Sequence, residues 1–227
     1  MKAAVYIALV AALLAVIGVS EAAPFRCKDP RFEKPNFRTI THGQSHNAHG
    51  LTTSFEYFKE ILGGDDNGSA VGPLKHGHRS INWDAPIVPF EFPRKFFEQN
   101  VTRGLAVASK NNKFRVSNPT PNHIGDDKFS TINRRESKKF QTFSPKRLFT
   151  PIKDNEFWIR FTVPGKKTKA LVRGFGAVFV GVDLEKVTKM TAYDINDCVI
   201  ASEYVEAKRN GLSFLGFYFE KPIIARV

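Results

Sequence analysis

The stretch Arg173 to Leu184, RGFGAVFVGVDL, constrains what this chain can fold into more than any other. As a strand it carries Phe175, Ala177 and Phe179 on one side and Gly174, Gly176, Val178, Val180 and Val182 on the other. From Gly174 to Val182 no polar side chain falls on either face, which marks a central strand covered by a layer on both sides, whereas a half-wet edge strand alternates. Runs of strand character follow one another around it: Phe157 to Val163, Ala170 to Val182 (which overlaps it), Thr188 to Tyr193, Val199 to Val205, Leu212 to Glu220 and Ile223 to Val227. The gaps between them are too short for helical crossovers, which predicts antiparallel pairing. Turn signals every roughly 8 to 12 residues then predict an all-β fold, an antiparallel two-sheet sandwich of jelly-roll type. The last run reaches Val227 with no polar tail, so the sandwich is expected to lack its last strands.

The other end of the chain sets the compartment. Met1 and Lys2 precede an apolar run from Ala3 to Val19, and Ser20-Glu21-Ala22 places small residues where a signal peptidase reads them. This is the pattern of a secretory signal over residues 1–22, and the run is shorter than the roughly 20 residues a membrane anchor needs. The mature chain is expected to be secreted, extracellular and without a transmembrane segment. Its formal charge is +12, unchanged by signal removal because Lys2 and Glu21 cancel. Outside the cell such a charge points away from nucleic acid and towards acidic polysaccharide or an anionic cell surface. Cys27 and Cys198 are the only cysteines. In an oxidising compartment two states stay open, a pair tying the N-terminal region to the strands or two separate thiols.

Between these ends the chain divides into an extension and a domain. Residues 23–50 are polar, basic and broken by Pro, and are expected to form a flexible basic extension. Its His42, His46 and His49 suit a solvated tail better than a metal site, since Gly43 and Gly50 argue against the helix that would gather them. The domain is expected over residues 51–227. It opens on one short helix, with Ser54 as cap, Phe55, Phe58, Lys59 and Leu62 along it and Gly63-Gly64 at its end. Asn67-Gly68-Ser69 and Asn100-Val101-Thr102 are glycosylation acceptors, expected on the surface. Arg94 to Glu98 reads as a short helical turn. Leu105 to Ala108 and Phe114 to Val116 flank Asn111-Asn112 as a hairpin would, and Pro119 to Lys139 reads as a long polar connection.

Several motifs in fixed order carry a resemblance over Leu51 to Val227. They are Leu62-Gly63-Gly64 with Asn67-Gly68 and Gly72-Pro73, then Gly77-x-Arg79-x-Ile81-Asn82-Trp83-Asp84, then Phe143-Ser144-Pro145-x-Arg147-Leu148-Phe149. After these come Gly174-Phe175-Gly176-Ala177-Val178-Phe179 with Val182-Asp183-Leu184, Phe214-Leu215-Gly216 and Ile224-Ala225-Arg226-Val227. In this the chain resembles an uncharacterised family of secreted microbial β-sandwich proteins, some with C-terminal cell-surface sorting tails. The resemblance implies export and a jelly-roll-like fold, and it brings no catalytic residues. The chain departs from the pattern at His78 and Ala85, where Arg and Gly are more usual, in its basic charge, and in ending before the family's further strands.

The candidate ligand-binding residues fall in three places. Asn82, Trp83 and Asp84 combine an amide, an indole and a carboxylate, suited either to gripping a sugar or to plugging the fold while bonding turn backbone. Trp158 shares a strand face with Arg160, either as a platform for a sugar ring or as an ordinary cross-strand pair. Arg134, Arg135, Lys138 and Lys139, with Lys146 and Arg147 beyond Phe140 and Phe143, form a basic cluster that would attract a polyanion or simply face water. A second cluster is Lys166, Lys167 and Lys169. No cofactor is expected; calcium is the alternative, with Asp183, Asp194 and Asp197 as its oxygen ligands. No G-x-S-x-G, H-E-x-x-H or Cys-His arrangement occurs, so a non-catalytic binding role is expected. The competing class, an extracellular hydrolase acting on cell-wall glycans, would need two carboxylates from Asp84, Glu91, Asp183, Asp194 and Glu203 to meet across a cleft.

Overall fold

The computed structural model describes residues 6–12, 27, 38–117 and 127–227. Every pairing between its strands is antiparallel. The strands are β1 (Tyr6–Ala12), β2 (Arg38–Ser45), β3 (Arg79–Ile81), β4 (Glu91–Phe92), β5 (Leu105–Ser109), β6 (Phe114–Val116), β7 (Phe149–Pro151), β8 (Phe157–Phe161), β9 (Gly174–Val180), β10 (Lys189–Tyr193), β11 (Val199–Tyr204) and β12 (Leu212–Phe219). Two helices, α1 (Ala48–Ile61) and α2 (Arg134–Ser137), and a single π-type turn at Phe96–Asn100 complete the described elements. The fold is all-β with antiparallel sheets.

The apolar run supplies β9, buried at every position, between β12 and β1 in a five-stranded sheet of order β2-β12-β9-β1-β3. Its two faces serve two cores. Phe175, Ala177 and Phe179 join a large cluster with Trp83, Phe149, Ile159, Phe161, Leu215 and Phe217. Val178 and Val180 join a smaller one with Leu51, Phe58 and Leu62 of the α1 segment and Phe214. Gly176 and Gly216 face each other across β9 and β12. A Cβ on either would stand 2.8 or 2.6 Å from the Phe58 ring. The paired glycines thus form the hollow into which α1 presses its buried Phe58 ring, a close approach that only a missing side chain permits.

The expected flexible extension is corrected over residues 38–50, and the short helix with it; residues 23–26 lie outside the described part. β2 pairs with β12 over its full length, from Leu212↔Ser45 to Phe219↔Arg38. The helix begins at Ala48 rather than after Ser54, capped by Asn47, whose side chain accepts from the Gly50 backbone N–H at 3.1 Å. Gly43 and Gly50 are not breakers in this setting. A Cβ on Gly43 would stand 2.6 Å from the Ser54 hydroxyl, and one on Gly50 would collide with Ser45, so both mark tight contact between β2 and α1. Cys27, also inside the expected extension, is joined to Cys198 with Cα atoms 5.2 Å apart, which settles the cysteine question in favour of a pair. Residues 28–37 lie outside the described part.

Three further expectations change. β5 and β6 do not form a hairpin: β5 pairs with β8, and β6 with β4 and β7. The Asn111-Asn112 turn is a corner between sheets, with Asn112 at φ 50° and Ser109 and Asn112 exchanging bonds of 3.2 and 3.0 Å. Asn111 is clamped by the Asp154 carboxylate at 2.9 and 2.6 Å. The helical turn near Arg94 falls at Phe96–Asn100. Within the polar connection, of which residues 118–126 lie outside the described part, Phe129 is 1% exposed and with Phe140 packs into the smaller core.

The segment read as a secretory signal contributes a strand. Tyr6–Ala12 forms β1, paired with β9 from Tyr6↔Val180 to Ala12↔Gly174 and with β3 at Leu9↔Ile81. The cleavage positions at residues 20–22 lie outside the described residues. Among the described residues no helix is long and apolar enough to cross a membrane.

Candidate functional site

Backbone pairing continues from β5 through β8 to the end of the chain. The Ile159 N–H donates to the Val227 carbonyl at 2.7 Å, and the Tyr193 N–H donates to the Arg226 carbonyl at 2.8 Å. Bridges join Arg160 to Arg226 and Arg226 to Tyr193. The terminal segment therefore lies between β8 and β10. Ile159 and Phe161 turn inward to the large core, and alternation puts Trp158 and Arg160 on the opposite face. Their partners on β5 are the small side chains of Ala108 and Ala106, with Trp158 half-buried and Arg160 exposed.

Two arginines directly opposite each other repel and need compensation. Arg226 has it: Nε and Nη2 both donate to Asp197 Oδ1, at 3.1 and 3.0 Å, and the guanidinium lies 3.7 Å from the centre of the Tyr193 ring. The Arg160 guanidinium is exposed and makes no hydrogen bond or ion pair among the described residues. The shelf of Trp158, Arg160, Arg226 and Tyr193 thus holds two cations against one carboxylate, beside a half-buried indole. A guanidinium fork matches a carboxylate or sulfate in the plane, and an indole face suits the apolar face of a sugar ring. Sequence reasoning found Trp158 and Arg160 through their alternation, but missed Arg226 and Tyr193. Only the register of the terminal segment brings those two alongside.

Asn82, Trp83 and Asp84 form a different arrangement. Trp83 is 1% exposed. It stacks on Phe149 at 4.7 Å and 9°, and meets Phe97 edge-on at 5.6 Å. Its ring has no face for a ligand. The flanking polar groups tie the segment to Ser144 and Arg147. Ser144 Oγ lies 2.6 Å from Asp84 Oδ2 and 2.8 Å from Asn82 Oδ1, and accepts the Trp83 N–H at 3.1 Å. Asn82 Oδ1 already accepts the Asp84 N–H at 2.9 Å, so the single hydroxyl proton belongs to the carboxylate. Arg147 donates from Nη1 to the Trp83 and Val88 carbonyls, both at 3.1 Å, and from Nε to the Ser117 carbonyl at 2.9 Å. Two motifs about sixty residues apart, Asn82-Trp83-Asp84 and Ser144-Pro145-Lys146-Arg147, are one interlocking joint.

The basic cluster is placed elsewhere. Asn133 caps α2 by accepting from the Arg135 and Glu136 N–H groups at 3.1 and 3.2 Å. Arg134, Arg135, Lys138 and Lys139 are exposed, with Lys139 held 3.0 Å from Glu136. Phe140 beside them packs with Val178 and Val180, whereas Ile159 and Phe161 of the Trp158 strand pack with Phe175 and Phe179. The segments that carry the two groups of candidate residues therefore anchor in different cores, on opposite faces of β9.

The three aspartates are equally separate in role. Asp194 Oδ1 accepts the Asn196 and Cys198 N–H groups at 2.8 Å each, Asp197 holds Arg226, and Asp183 is exposed. Among the described residues no group of three His, Cys, Asp or Glu side chains is placed to hold a metal ion. Of the carboxylates a hydrolase would use, Glu91 pairs with Arg115, while Asp84 and Asp194 are committed to backbone and hydroxyl donors. Asn100 is exposed on the π-type turn. Asn67 is half-buried, and its amide donates to the His76 carbonyl at 2.7 Å.

A buried basic pair lies at the start of β3. His78 is 0% exposed, both its ring nitrogens lack a partner among the described residues, and burial holds its pKa below the ordinary 6.5, opposed mainly by the carboxylate of Asp66. Burial thus disfavours the charged imidazole in the folded state, and the unfolded chain binds the proton first as pH falls. Stability linked to His78 is complete above pH 6.5 and declines below it. Denaturant titrations between pH 7.5 and 5 should show that decline, and it should be shallower in His78→Leu.

No protein-family profile, no curated protein and no solved structure matches this chain.

Proposed function

We propose that this is an exported, glycosylated, non-catalytic β-sandwich of jelly-roll type, akin to the secreted microbial proteins it resembles. It binds acidic polysaccharide, on a cell surface or free, through the shelf of Trp158, Arg160, Arg226 and Tyr193. The observation that carries this reading is Arg160, an exposed guanidinium with no partner among the described residues, set opposite a second arginine and two residues along the strand from an indole. An anionic sugar relieves the repulsion between the arginines while its ring stacks on Trp158. The +12 charge, including the exposed cations of α2, adds a longer-range attraction that salt weakens.

A glycan array probed with the secreted chain at low and high salt tests this. Uronate-containing and sulfated glycans should bind and be released by salt, and Trp158→Ala should reduce their signal at both salt levels by about tenfold, the scale of a lost aromatic stack. Salt-insensitive binding to neutral glycans, or equal binding by Trp158→Ala, would contradict the reading.

A further inference from the structure

We propose that removal of the leader opens, between β9 and β3, a slot for one extended strand supplied by another chain. The proposal rests on the export half of the reading above and is independent of the sugar shelf. β1 runs antiparallel to both neighbours, with seven residues paired to β9 and three to β3. β9 and β3 are consequently parallel to each other and two strand spacings apart, roughly 10 Å. Without β1, one edge of β9 loses its backbone partners from Gly174 to Val180, while β12 still occupies the other edge. A buried edge of unmatched N–H and C=O groups recruits a strand, the mode of recognition known as β-strand addition.

The surroundings define the occupant. β9 contributes to an apolar core on each face, so the incoming strand must be uncharged and apolar on both faces, as the sequence YIALVAA is. The length is about seven residues and the direction antiparallel to β9. A second processed copy has no such segment to spare. Beyond residue 22 the two-faced apolar runs of seven residues or more are those of β9 and β12, both already internal strands of the sheet, while the apolar run of β5 spans only five residues and is paired to β8. The occupant is therefore an apolar β-segment of a different polypeptide, with Tyr6–Ala12 marking its position and register.

The test uses the secreted chain, the unprocessed chain and a synthetic peptide spanning Tyr6–Ala12 with flanking lysines for solubility. N-terminal sequencing comes first: a start at Ala23 is expected, and a start at Met1 overturns the proposal together with the export reading, but leaves sugar binding standing. The processed chain should then bind the peptide saturably, with slowed hydrogen exchange at the amides of Gly174–Val180. The unprocessed chain should not bind it, and an Ala8→Pro peptide should bind at least tenfold more weakly, since proline removes a ladder donor. A processed chain that folds only when the peptide is added supports the slot equally. Three results overturn it: β9 amides as protected without peptide as with it, indifference to the proline, or a processed chain that stays unfolded in its presence.

Discussion

Replacing Trp83 by alanine is expected to lower the free energy of unfolding by about 3–5 kcal/mol, the range for deleting a large aromatic from a close-packed core. The indole fills the space between Phe149, stacked on one face, and Phe97, edge-on, with the Phe92 ring 6.2 Å away. The joint around it cannot follow a smaller side chain inward. Asp84, Ser144 and Arg147 fix the backbone on either side through bonds of 2.6 to 3.1 Å. A cavity therefore remains, and Trp83→Phe should cost clearly less than Trp83→Ala. Urea denaturation followed by circular dichroism checks both. A loss below 1 kcal/mol for the alanine variant would contradict this packing. Trp83 is remote in role from the sugar shelf, so the folded fraction of the variant should retain glycan binding.

Breaking the Cys27–Cys198 bond should have a comparable effect, about 2–5 kcal/mol. The two cysteines are 171 residues apart in sequence. A cross-link over so long a loop removes a large share of the unfolded chain's freedom, with an upper value near 5 kcal/mol in the chain-entropy description. Cys27 is the position to change, because Cys198 is 0% exposed and a hydroxyl there would introduce a second effect. Cys27→Ser and the reduced native chain should show the same fall in the urea midpoint. Equal midpoints for oxidised and reduced protein would mean that the bond constrains nothing that matters to folding.

Much of the sheet architecture was legible locally. β9 to β12 lie within the expected strands because their apolar patterning and the Gly, Asp and Asn turns between them are features of adjacent residues. β2 was not legible. Its polar and small residues become a strand only beside β12, an edge the sequence does not announce. The start of α1 was hidden because Gly43 and Gly50 argue against a helix, although Asn47 three residues before Gly50 is a cap signal that could have found it. Asn111-Asn112 looked like a hairpin because turn residues report a change of direction without saying which strands then pair.

The site divides along the same line. Trp158 and Arg160 follow from the alternation of FWIRF alone, whereas the pairing of Arg226 with both Arg160 and Tyr193 depends on where the terminal segment is threaded. Asn82 and Asp84 announced their turn chemistry, but their partner Ser144 is sixty residues on from Asp84. The basic cluster was evident from composition, and the anchoring of its segment in a different core from the Trp158 strand was not.

The most direct measurement is the affinity of the secreted chain for a polygalacturonate oligomer across a salt series, for the native chain and for Arg160→Gln. The account predicts that log affinity falls linearly with log salt, and that Arg160→Gln weakens binding and lowers the slope by about one charge. An unchanged slope and affinity in Arg160→Gln, with both lost when Arg134, Arg135, Lys138 and Lys139 are changed to Gln, would contradict it and place the polysaccharide on α2 instead.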